Sequence, residues 1–414
     1  MMNYKYVILG GGLAAGYAAQ EFVAHGIQAG ELCILSAEGT LPYERPPLSK
    51  DYLAGEKNVA DILINEPSFY EEHGITVKLE TPVTGVDLDA RQLETSDGPV
   101  HYEKLLITTG ASPRTLELPG ADLENIFYLR QVTDARRIRQ QARQAKKAVV
   151  IGGSFIGMEA ASVLQSAGVE TTMVFPEERV WQSFFTPEMS AFFEQYYRER
   201  GVKLLPQAEV AAFGGNGRLT EVITRSGQSI AADMVVAGIG VIPNSQLFSS
   251  TPLKTKDGYL LVNCYLETNM PNVAAAGDIT CFEDVVFDKA TAHVEHWDNA
   301  VQQGQHAART LLGQRQPYAY VPYFFSDVFD LSYEFWGDAA EVVETVTRGD
   351  VANGRFSVWW LGENGRLLAA FIMDRPDEER EAAPQWIKEG QQLSAKWLQE
   401  TDSLTPQEKS ADGA

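Results

Sequence analysis

Two glycine-rich turns, each lying between a strand-like run and a helix-like run, constrain this chain more than any other feature. They are Gly10-Gly11-Gly12-Leu13-Ala14-Ala15-Gly16 and Gly152-Gly153-Ser154-Phe155-Ile156-Gly157. A turn of this kind brings the N-terminus of a helix, with its free N–H groups, close to a phosphate. Two turns predict two nucleotides, and the simplest hypothesis that uses both is a flavoenzyme that takes hydride from a nicotinamide.

The pattern around the first turn recurs around the second. Residues 6–9 and 32–35 are apolar runs typical of buried strands, and residues 13–25 have helical periodicity. The same order returns at 148–151, 155–167 and 170–175. A repeated strand–helix–strand unit predicts an α/β chain with two Rossmann-like nucleotide-binding domains rather than one large sheet.

The remaining segments indicate how the domains are divided. Residues 105–110 and 234–240 are strand-like runs that end in glycine, and residues 273–278 are expected to return the chain to the first domain. Beyond Gly313, aromatic segments separated by Asn-Gly turns predict β-hairpins. The expected domains are a discontinuous first domain (1–113 and 246–316), a second domain (114–245), a β-rich C-terminal domain (317–400) and a polar tail (401–414).

Composition narrows the class of protein. The chain contains no apolar run of the roughly 18 residues that cross a bilayer, and a strand-like run follows almost directly after Met1, so a cytoplasmic location is expected. Cys33, Cys264 and Cys281 are scattered singly, which predicts neither a disulfide framework nor a metal site. Because neither glycine turn has a Cys-x-x-Cys pair beside it, electrons are expected to pass without a protein disulfide.

The charge of the chain disfavours some partners. With 34 basic and 56 acidic residues, the net charge is −22, which repels polyphosphate backbones and makes nucleic acid an unexpected partner. The same charge disfavours docking of a strongly acidic electron-carrier protein unless a local basic patch outweighs it. Insertion into a membrane is not expected either.

In the first turn, each singled-out residue has a distinct expected role. Gly10 permits the bend from strand to helix, Gly12 permits close approach of a pyrophosphate, and Ala15 or Gly16 keeps the helix near the sheet. Glu38 follows the second strand, where a carboxylate accepts hydrogen bonds from ribose hydroxyls. The alternative is a glycine-rich turn without a ligand, which the flanking strand and helix and Glu38 together disfavour.

The second turn departs slightly from this pattern. Ser154 replaces the middle glycine between Gly152 and Gly157 and slightly crowds the approach of a phosphate. Glu177 follows the next strand, where its carboxylate accepts from an adenosine 2′-hydroxyl and repels a 2′-phosphate, so NADH is the expected donor. Arg179 lies close by, and the alternative interpretation of Glu177 is an acid in a solvated loop.

A third segment, Pro42-Tyr43-Glu44-Arg45-Pro46-Pro47-Leu48-Ser49-Lys50, adds a family resemblance. With it, the chain resembles the FAD-dependent pyridine nucleotide reductases of the ferredoxin reductase type, and among them the monodehydroascorbate reductases. Residues 125–130, 172–177 and 329–332 extend the similarity over nearly the whole chain. The resemblance implies a glutathione-reductase-like architecture in which the first domain holds FAD, the second holds NAD(H), and a C-terminal α+β interface domain packs against the flavin.

The resemblance also implies roles for single residues. It implies that Arg45 and Lys50 contact the flavin nucleotide and that Asp278 binds its ribityl or phosphate region. It further implies that Lys50 pairs with Glu159 beside the reacting edge of the flavin. Without the resemblance, Glu159 is interpreted as an acid favoured by the dipole near a helix start.

The run Glu295-His296-Trp297 begins a predicted helix that continues through residue 307. By the resemblance it approaches the flavin, so Trp297 is expected to form a wall of the nicotinamide or substrate pocket, with a core aromatic as the alternative. His296 is interpreted as a structural histidine rather than a proton carrier. Phe325 belongs to the C-terminal segment that faces the flavin in the family.

The candidate residues form two sets, and no metal ligands are predicted. The candidate catalytic residues are Lys50, Glu159 and Trp297. The candidate cofactor-binding residues are Gly10, Gly12, Ala15, Glu38, Arg45, Lys50, Thr109, Gly110, Gly152, Ser154, Phe155, Ile156, Gly157, Glu159, Glu177, Gly240, Asp278, Glu295, His296, Trp297 and Phe325.

The leading hypothesis is an NADH-dependent FAD oxidoreductase that passes electrons to a small-molecule acceptor, as in the monodehydroascorbate reductases. An alternative is a ferredoxin or rubredoxin reductase, because Val301 and Trp336 stand where the plant enzymes place a substrate-binding arginine and a tyrosine. A less favoured hypothesis is a redox-sensing interaction protein similar to the apoptosis-inducing factors, for which the acidic chain lacks a basic DNA-binding surface.

Overall fold

The structure of the chain, a computed structural model, describes residues 2–404. Its strands are β1 (Met2–Leu9), β2 (Leu32–Leu35), β3 (Thr76–Lys78), β4 (Val83–Asp87), β5 (Gln92–Thr95), β6 (Val100–Ile107), β7 (Ala111–Pro113), β8 (Ile126–Tyr128), β9 (Lys147–Ile151), β10 (Glu170–Val174), β11 (Lys203–Leu205), β12 (Val210–Gly215), β13 (Leu219–Thr224), β14 (Ser229–Ala231), β15 (Met234–Ala237), β16 (Val241–Pro243), β17 (Thr255–Lys256), β18 (Tyr259–Val262), β19 (Val273–Ala275), β20 (Thr280–Asp284), β21 (Lys289–Ala292), β22 (Tyr323–Val328), β23 (Leu331–Gly337), β24 (Glu344–Asp350), β25 (Arg355–Leu361) and β26 (Leu367–Met373).

Its α-helices are α1 (Leu13–Ala24), α2 (Asp51–Ala54), α3 (Pro67–Glu72), α4 (Val132–Ala142), α5 (Phe155–Ser166), α6 (Pro187–Glu199), α7 (Trp297–Leu311), α8 (Asp377–Glu389) and α9 (Ala395–Glu400). Short 3₁₀ turns lie at Pro46–Ser49, Ala60–Ile62, Gln246–Phe248 and Glu363–Gly365. Over residues 2–404, none of the helices combines the length and the apolar character that crossing a membrane requires.

The chain divides into two compact units. The first contains the residues up to Arg45 together with Val59–Ser112 and Val241–Pro322, and the second contains Pro46–Asn58, Pro113–Gly240 and the chain from Tyr323 onward. The finer division into two nucleotide domains and a C-terminal domain, with the boundaries expected above, stays a prediction. Most of the predicted polar tail, residues 405–414, lies outside the described residues.

The first unit is built on a parallel sheet. Strands β3, β2, β1 and β6 lie side by side, β19 pairs in parallel with the C-terminal half of β6, and β5 and β4 extend the sheet in antiparallel fashion. Val7 lies opposite both Cys33 and Leu105, and all three side chains are at most 1% exposed. Strands buried on both faces read as continuous apolar runs, which is why they could be recognised in the sequence.

Helix α7 packs against α1 in the first unit with the backbones in close approach. A Cβ at Gly304 would lie 2.3 Å from the carbonyl oxygen of Ala14, so only glycine permits this contact. The helix begins at Trp297, with His296 as its N-cap, and continues to Leu311, four residues beyond the predicted end at 307. Burial of apolar side chains stabilises this last turn of α7. The buried side chains there are Ala307, Ala308 and Leu311.

The second unit contains a second parallel sheet, with strand order β11-β10-β9-β15-β8. Val150 lies opposite Met173 and Val236, and each of the three side chains is fully buried. The β9-α5-β10 unit repeats the arrangement of β1-α1-β2, so the predicted pair of Rossmann-like units is confirmed. A small antiparallel sheet, β12-β13-β14, follows β11 along the chain.

The C-terminal part of the second unit is a five-stranded antiparallel sheet with order β22-β23-β26-β25-β24. The Asn353-Gly354 turn joins β24 to β25, and the Asn364-Gly365 turn joins β25 to β26, as predicted. Its buried face packs on aromatic side chains that precede α6 or lie within it. Tyr333 and Phe371 of the sheet contact Trp181, Phe185 and Phe193, with centroid separations of 5.3–6.5 Å.

Candidate functional site

The first glycine turn lies between β1 and α1, and steric contacts explain its glycines. Gly10 has a φ of +120°, and a Cβ there would lie 2.3 Å from the Thr108 carbonyl oxygen. Gly12 is the N-cap of α1, and no side chain caps the helix there. Among the described residues, the one neighbour that a Cβ at Gly12 would have within 4 Å is the Arg45 guanidinium, at 3.5 Å. The first N–H groups of α1 therefore border a space flanked by a cation, which suits a pyrophosphate. Ala15 is fully buried behind the turn.

Glu38 lies beyond β2 and is held in place by two donors. Its carboxylate accepts hydrogen bonds from the Tyr43 hydroxyl at 2.5 Å and from Arg45 Nη2 at 3.1 Å. A carboxylate has further acceptor positions on both oxygens, so ribose hydroxyls can still bind to it. The structure thus brings together the predicted residues Gly12, Glu38 and Arg45, and their chemistry fits the ribose and pyrophosphate of FAD.

Other predicted residues lie where neighbouring parallel strands of the first sheet end. Thr109 and Gly110 follow β6, and Asp278 follows the adjacent β19. Asn244 holds Thr109 and Gly110 in place through two hydrogen bonds. Its side-chain amide donates to the Thr109 carbonyl at 2.8 Å, and its backbone N–H donates to the Gly110 carbonyl at 2.9 Å. Asp278 is 9% exposed. Ligands of open parallel sheets bind at this edge, so the placement fits the predicted roles.

Glu295 belongs to a polar cluster with Tyr259 and His293. Its Oε1 accepts from the Tyr259 hydroxyl at 3.0 Å and lies 2.8 Å from His293 Nε2, while His293 Nδ1 lies 2.8 Å from the Thr280 carbonyl oxygen. Burial opposes a charge on His293, but the hydrogen bonds to Glu295 and Thr280 outweigh it and raise the pKa of this imidazole. His293 therefore gains a proton more readily than an ordinary histidine and donates to both oxygens.

Trp297 is oriented by a carboxylate that the sequence did not single out. Its indole Nε1 donates to Glu44 Oε2 at 2.5 Å, and the Tyr17 hydroxyl donates to Glu44 Oε1 at 2.5 Å. Burial and the adjacent Glu44 carboxylate raise the pKa of Tyr17, which keeps this donor protonated. Burial lowers the pKa of His296 to about 4, so His296 is neutral at physiological pH, in keeping with a structural histidine.

The second glycine turn repeats the geometry of the first. Gly152 has a φ of +116°, and a Cβ there would lie 2.3 Å from the Gly238 carbonyl oxygen. A Cβ at Gly10 would approach the Thr108 carbonyl oxygen to the same distance. A Cβ at Gly157 would lie 2.1 Å from the Gly152 carbonyl oxygen, so α5 sits tightly on the turn. Ser154 is the N-cap but its side chain makes no capping bond, which leaves the helix N–H groups to a phosphate.

The side chains around the second turn are more open. Ile156 is 36% exposed, whereas the Phe155 ring packs edge-on against Phe184 and Phe324, with centroids 5.2 and 4.6 Å away. Gly240 follows β15 with a φ of +95° and has open space where a Cβ would lie. Glu177 is exposed beyond β10, and its carbonyl oxygen accepts from the Gln207 N–H at 2.9 Å.

Lys50 and Glu159 form a buried ion pair in the second unit, with side chains that are 11% and 6% exposed. Lys50 Nζ donates to Glu159 Oε1. The same oxygen accepts from the Ser326 hydroxyl at 2.6 Å, and Oε2 accepts from the Ser49 hydroxyl at 2.5 Å. The Phe325 ring centroid lies 5.3 Å from Lys50 Nζ. Burial of two charges is tolerable because they are paired with each other and both oxygens of the carboxylate are hydrogen-bonded.

Val301 and Trp336, where the resemblance implied an arginine and a tyrosine, have ordinary structural surroundings. Val301 is 7% exposed and belongs to the hydrophobic core of the first unit. The Trp336 ring packs on Tyr323 at a centroid separation of 4.1 Å, on two paired strands of the C-terminal sheet. Val301 therefore offers no charge to a substrate.

Sequence reasoning missed the residues that orient the predicted ones. They are Tyr17, Glu44, Ser49, Asn244, Tyr259, His293 and Ser326. Most are short polar or aromatic side chains whose partners lie far along the chain. Glu44 and Ser49 could have been singled out, because they belong to the segment 42–50 that carries the resemblance.

Comparison with known proteins gives matches over nearly the whole chain. Residues 4–304 match the pyridine nucleotide-disulphide oxidoreductase family, and residues 323–405 match the reductase C-terminal family. Monodehydroascorbate reductase 3 of Arabidopsis thaliana is 36% identical over 408 residues, which are 92% of this chain and 91% of the relative. The monodehydroascorbate reductase of Solanum lycopersicum is 35% identical over 414 residues, 92% and 93% of the two chains.

Solved structures show the same fold. A ferredoxin reductase from Rhodopseudomonas palustris has a TM-score of 0.89 at 29% identity and covers 96% of each chain. Putidaredoxin reductase, in its covalent complex with putidaredoxin, has a TM-score of 0.90 at 31% identity and covers 96% of this chain and 95% of its own. The predicted fold class and the predicted resemblance are confirmed.

The match to the first family includes both glycine turns and both parallel sheets. Cys33, Cys264 and Cys281 are free thiols, so these residues provide no redox disulfide. Because the match is this extensive, the chain belongs to the pyridine nucleotide-disulphide oxidoreductase family and is an FAD-dependent oxidoreductase that uses NAD(H).

Proposed function

We propose that this chain transfers electrons from NADH to a small organic acceptor, a radical or a quinone-like molecule, and that Lys50 and Glu159 act beside the reacting edge of FAD. The observation that carries the proposal is the buried Lys50–Glu159 pair, whose carboxylate also accepts hydrogen bonds from Ser49 and Ser326. Charges kept in a site of low exposure act more strongly on a bound group than charges in water.

The first glycine turn would hold FAD. Bound FAD accepts a hydride from NADH and can release its electrons singly to an acceptor. The α1 N-terminus and Arg45 would bind the pyrophosphate, Glu38 would accept hydrogen bonds from the ribose, and Asp278 would accept from the ribityl chain. These assignments rest on the uncapped N-terminus, on the Arg45 guanidinium beside Gly12, and on the strand ends that carry Glu38 and Asp278.

The second glycine turn would bind NADH. The free N–H groups at the start of α5 suit its pyrophosphate, and Ser154 supplies a hydroxyl next to them. Glu177, exposed beyond β10, would accept from the adenosine 2′-hydroxyl and repel the 2′-phosphate of NADPH. Trp297, held by Glu44, would form a wall of the nicotinamide or acceptor pocket.

Lys50 has the central electrostatic role. Its ammonium bonds to Glu159 and faces the Phe325 ring, and it keeps further N–H donors for a bound group. A cation at the reacting edge stabilises the negative charge that arrives with the hydride. Glu159 holds the Lys50 ammonium in place. Before the hydride arrives, the Glu159 carboxylate balances the positive charge of that ammonium.

The nature of the acceptor follows from the relatives and from Val301. Monodehydroascorbate reductases at about 35% identity support a small organic acceptor. Val301 replaces the expected arginine with an apolar side chain, so we expect a less anionic acceptor than the ascorbate radical. A cytoplasmic location stays part of this proposal, and peroxisomal enzymes occur among the similar proteins.

A second candidate function, reduction of an acidic electron-carrier protein, is favoured by α4. Residues 130–147 contain seven basic residues and one acidic residue, a net charge of 7 − 1 = +6 in a chain of −22. Five of the cations are exposed, and four of these lie on α4 or within four residues of its end, whereas Lys147 begins β9. This basic face consists of Arg136, Arg137, Arg143 and Lys146.

Two carboxylates beside the basic face are engaged with backbone N–H groups. Asp233 accepts from those of Lys146 and Lys147 at 2.8 and 2.9 Å. The acid of this segment, Asp134, is engaged with the backbone N–H groups of Arg130 and Gln131. On the inner side of α4, Arg139 donates to the Tyr52 carbonyl at 3.2 Å and so ties α4 to the segment that follows Lys50. Attraction of an acidic carrier to this face would increase its rate of association.

The replacement Lys50→Met tests the proposed role of the ion pair. Loss of the ammonium should slow anaerobic reduction of bound FAD by NADH about a hundredfold, as measured by stopped-flow absorbance, because the arriving charge loses its counter-charge. Lys57→Met is the matched control, since Lys57 is an exposed lysine of the same segment that pairs with Asp51.

Because Lys50→Met leaves Glu159 buried without its cation, the double variant Lys50→Met/Glu159→Gln should restore stability but not the rate. A normal rate of flavin reduction in either variant would contradict the role of Lys50.

The replacement Glu177→Arg tests the choice of donor. The ratio of kcat/KM for NADH to that for NADPH should fall by about tenfold or more, because the repulsion of the 2′-phosphate becomes attraction. Glu199→Arg, at an exposed acid near the end of α6, controls for the change in net charge. Unchanged selectivity in steady-state assays would remove Glu177 from this role.

Reversal of two charges on the basic face separates the two candidate functions. Arg136→Glu/Arg143→Glu should raise the KM for an acidic [2Fe–2S] ferredoxin about tenfold at low salt and leave reduction of a neutral quinone unchanged. Lys203→Glu/Arg225→Glu, at two exposed cations elsewhere in the second unit, is the control. An unchanged KM, or no ferredoxin reduction by the unmodified protein, would exclude this surface as a docking site for a carrier.

A further inference from the structure

Glu159, on α5, is bound by side chains from two other stretches of the chain. Lys50 and Ser49 come from the segment Pro46–Asn58, and Ser326 comes from β22 in the C-terminal sheet, 167 residues from Glu159. We propose that Ser326 is a positioning residue, whose hydroxyl fixes the Glu159 carboxylate and thereby the Lys50 ammonium. This inference rests on the proposed function and assigns to the C-terminal sheet a direct part in orienting the reacting charge.

The hydrogen bonds determine the orientation of the carboxylate. Oε1 accepts from Lys50 and from Ser326 at 2.6 Å, and Oε2 accepts from Ser49 at 2.5 Å. Ser49 Oγ also lies 3.4 Å from the Pro46 carbonyl, but its single proton is committed to the much closer carboxylate. Without Ser326, Oε1 would be held by the flexible Lys50 side chain, and the pair could rotate together.

The strand pattern shows that Ser326 is not there for packing. In β22, residues 324, 326 and 328 are buried and residues 323, 325 and 327 are half-buried. Phe324 and Val328 are typical of such a buried face, whereas a fully buried hydroxyl at 326 costs free energy unless it is hydrogen-bonded. Its bond to Glu159 offsets that cost, and the hydroxyl also interacts with the buried Tyr333 side chain opposite it on β23.

Two further contacts hold β22 against the ion pair. The ring of Phe325, the residue before Ser326, lies 5.3 Å from Lys50 Nζ, so consecutive residues of one strand contact both charges. The backbone N–H of Phe329 donates to Ser162 Oγ at 2.6 Å, and Ser162 lies on α5 less than one turn after Glu159. Contacts on both sides of Ser326 therefore hold the C-terminal sheet in place, to Lys50 just before it and to α5 just after it.

The test compares Ser326→Ala with Ser357→Ala in the FAD-loaded protein. Ser357 is a matched control, because it is fully buried in the same sheet and donates to the buried Glu379 at 2.5 Å. Ser326→Ala should slow flavin reduction by NADH about tenfold, with unchanged FAD content and NADH affinity. It should also lower the midpoint potential of bound FAD, because a displaced cation stabilises the reduced form less. Ser357→Ala should change neither the rate of flavin reduction nor the midpoint potential.

The near-isosteric pair Ser326→Thr and Ser326→Val decides the question if the alanine variant folds poorly. Threonine keeps the hydroxyl and should retain both rate and potential, whereas valine of nearly the same shape should lose them. Equal rates and potentials in the threonine and valine variants, or an alanine variant that matches Ser357→Ala, would overturn the proposal. Failure of the unmodified protein to reduce FAD with NADH would instead contradict the proposed function itself.

Discussion

The ion pair between Lys50 and Glu159 is the interaction on which the candidate site depends. Its partners are 109 residues apart, and two hydroxyl groups also donate to the carboxylate. Removing one member of a buried pair typically costs about 3–5 kcal/mol, so the three stretches that meet here must keep their positions for the charges to be tolerated. The segment Pro46–Asn58, α5 and β22 are thereby linked by the pair that we place at the flavin edge.

The two glycine turns have the same backbone geometry, but the side chains around them differ. At Gly10 and Gly152 the same left-handed backbone passes over a carbonyl oxygen at a strand end. Around the first turn, Glu38 and Arg45 are bonded to each other, which suits a cofactor that remains bound. Around the second, Glu177 and Ile156 are exposed, which suits a nucleotide that binds and leaves. The difference agrees with resident FAD and exchangeable NAD(H).

Much of the fold could be predicted from the sequence, because continuous apolar runs and Asn-Gly turns are local signals. The two parallel sheets and the C-terminal hairpins are of this kind. The partners of Glu159 and Trp297 could not be predicted, because Ser326 and Glu44 lie 167 and 253 residues from them in the chain. A lone serine in an apolar strand carries no local signal of its partner. The end of α7 was also misplaced, since packing on α1 rather than helix propensity determines it.

A crystal structure of the protein with FAD bound would show directly whether Lys50 lies at the flavin. We expect the Lys50 ammonium to contact the reacting edge of the isoalloxazine ring while Glu159 stays bonded to Ser49 and Ser326. A flavin whose reacting edge lies away from Lys50, with the ion pair in contact with protein alone, would contradict this expectation.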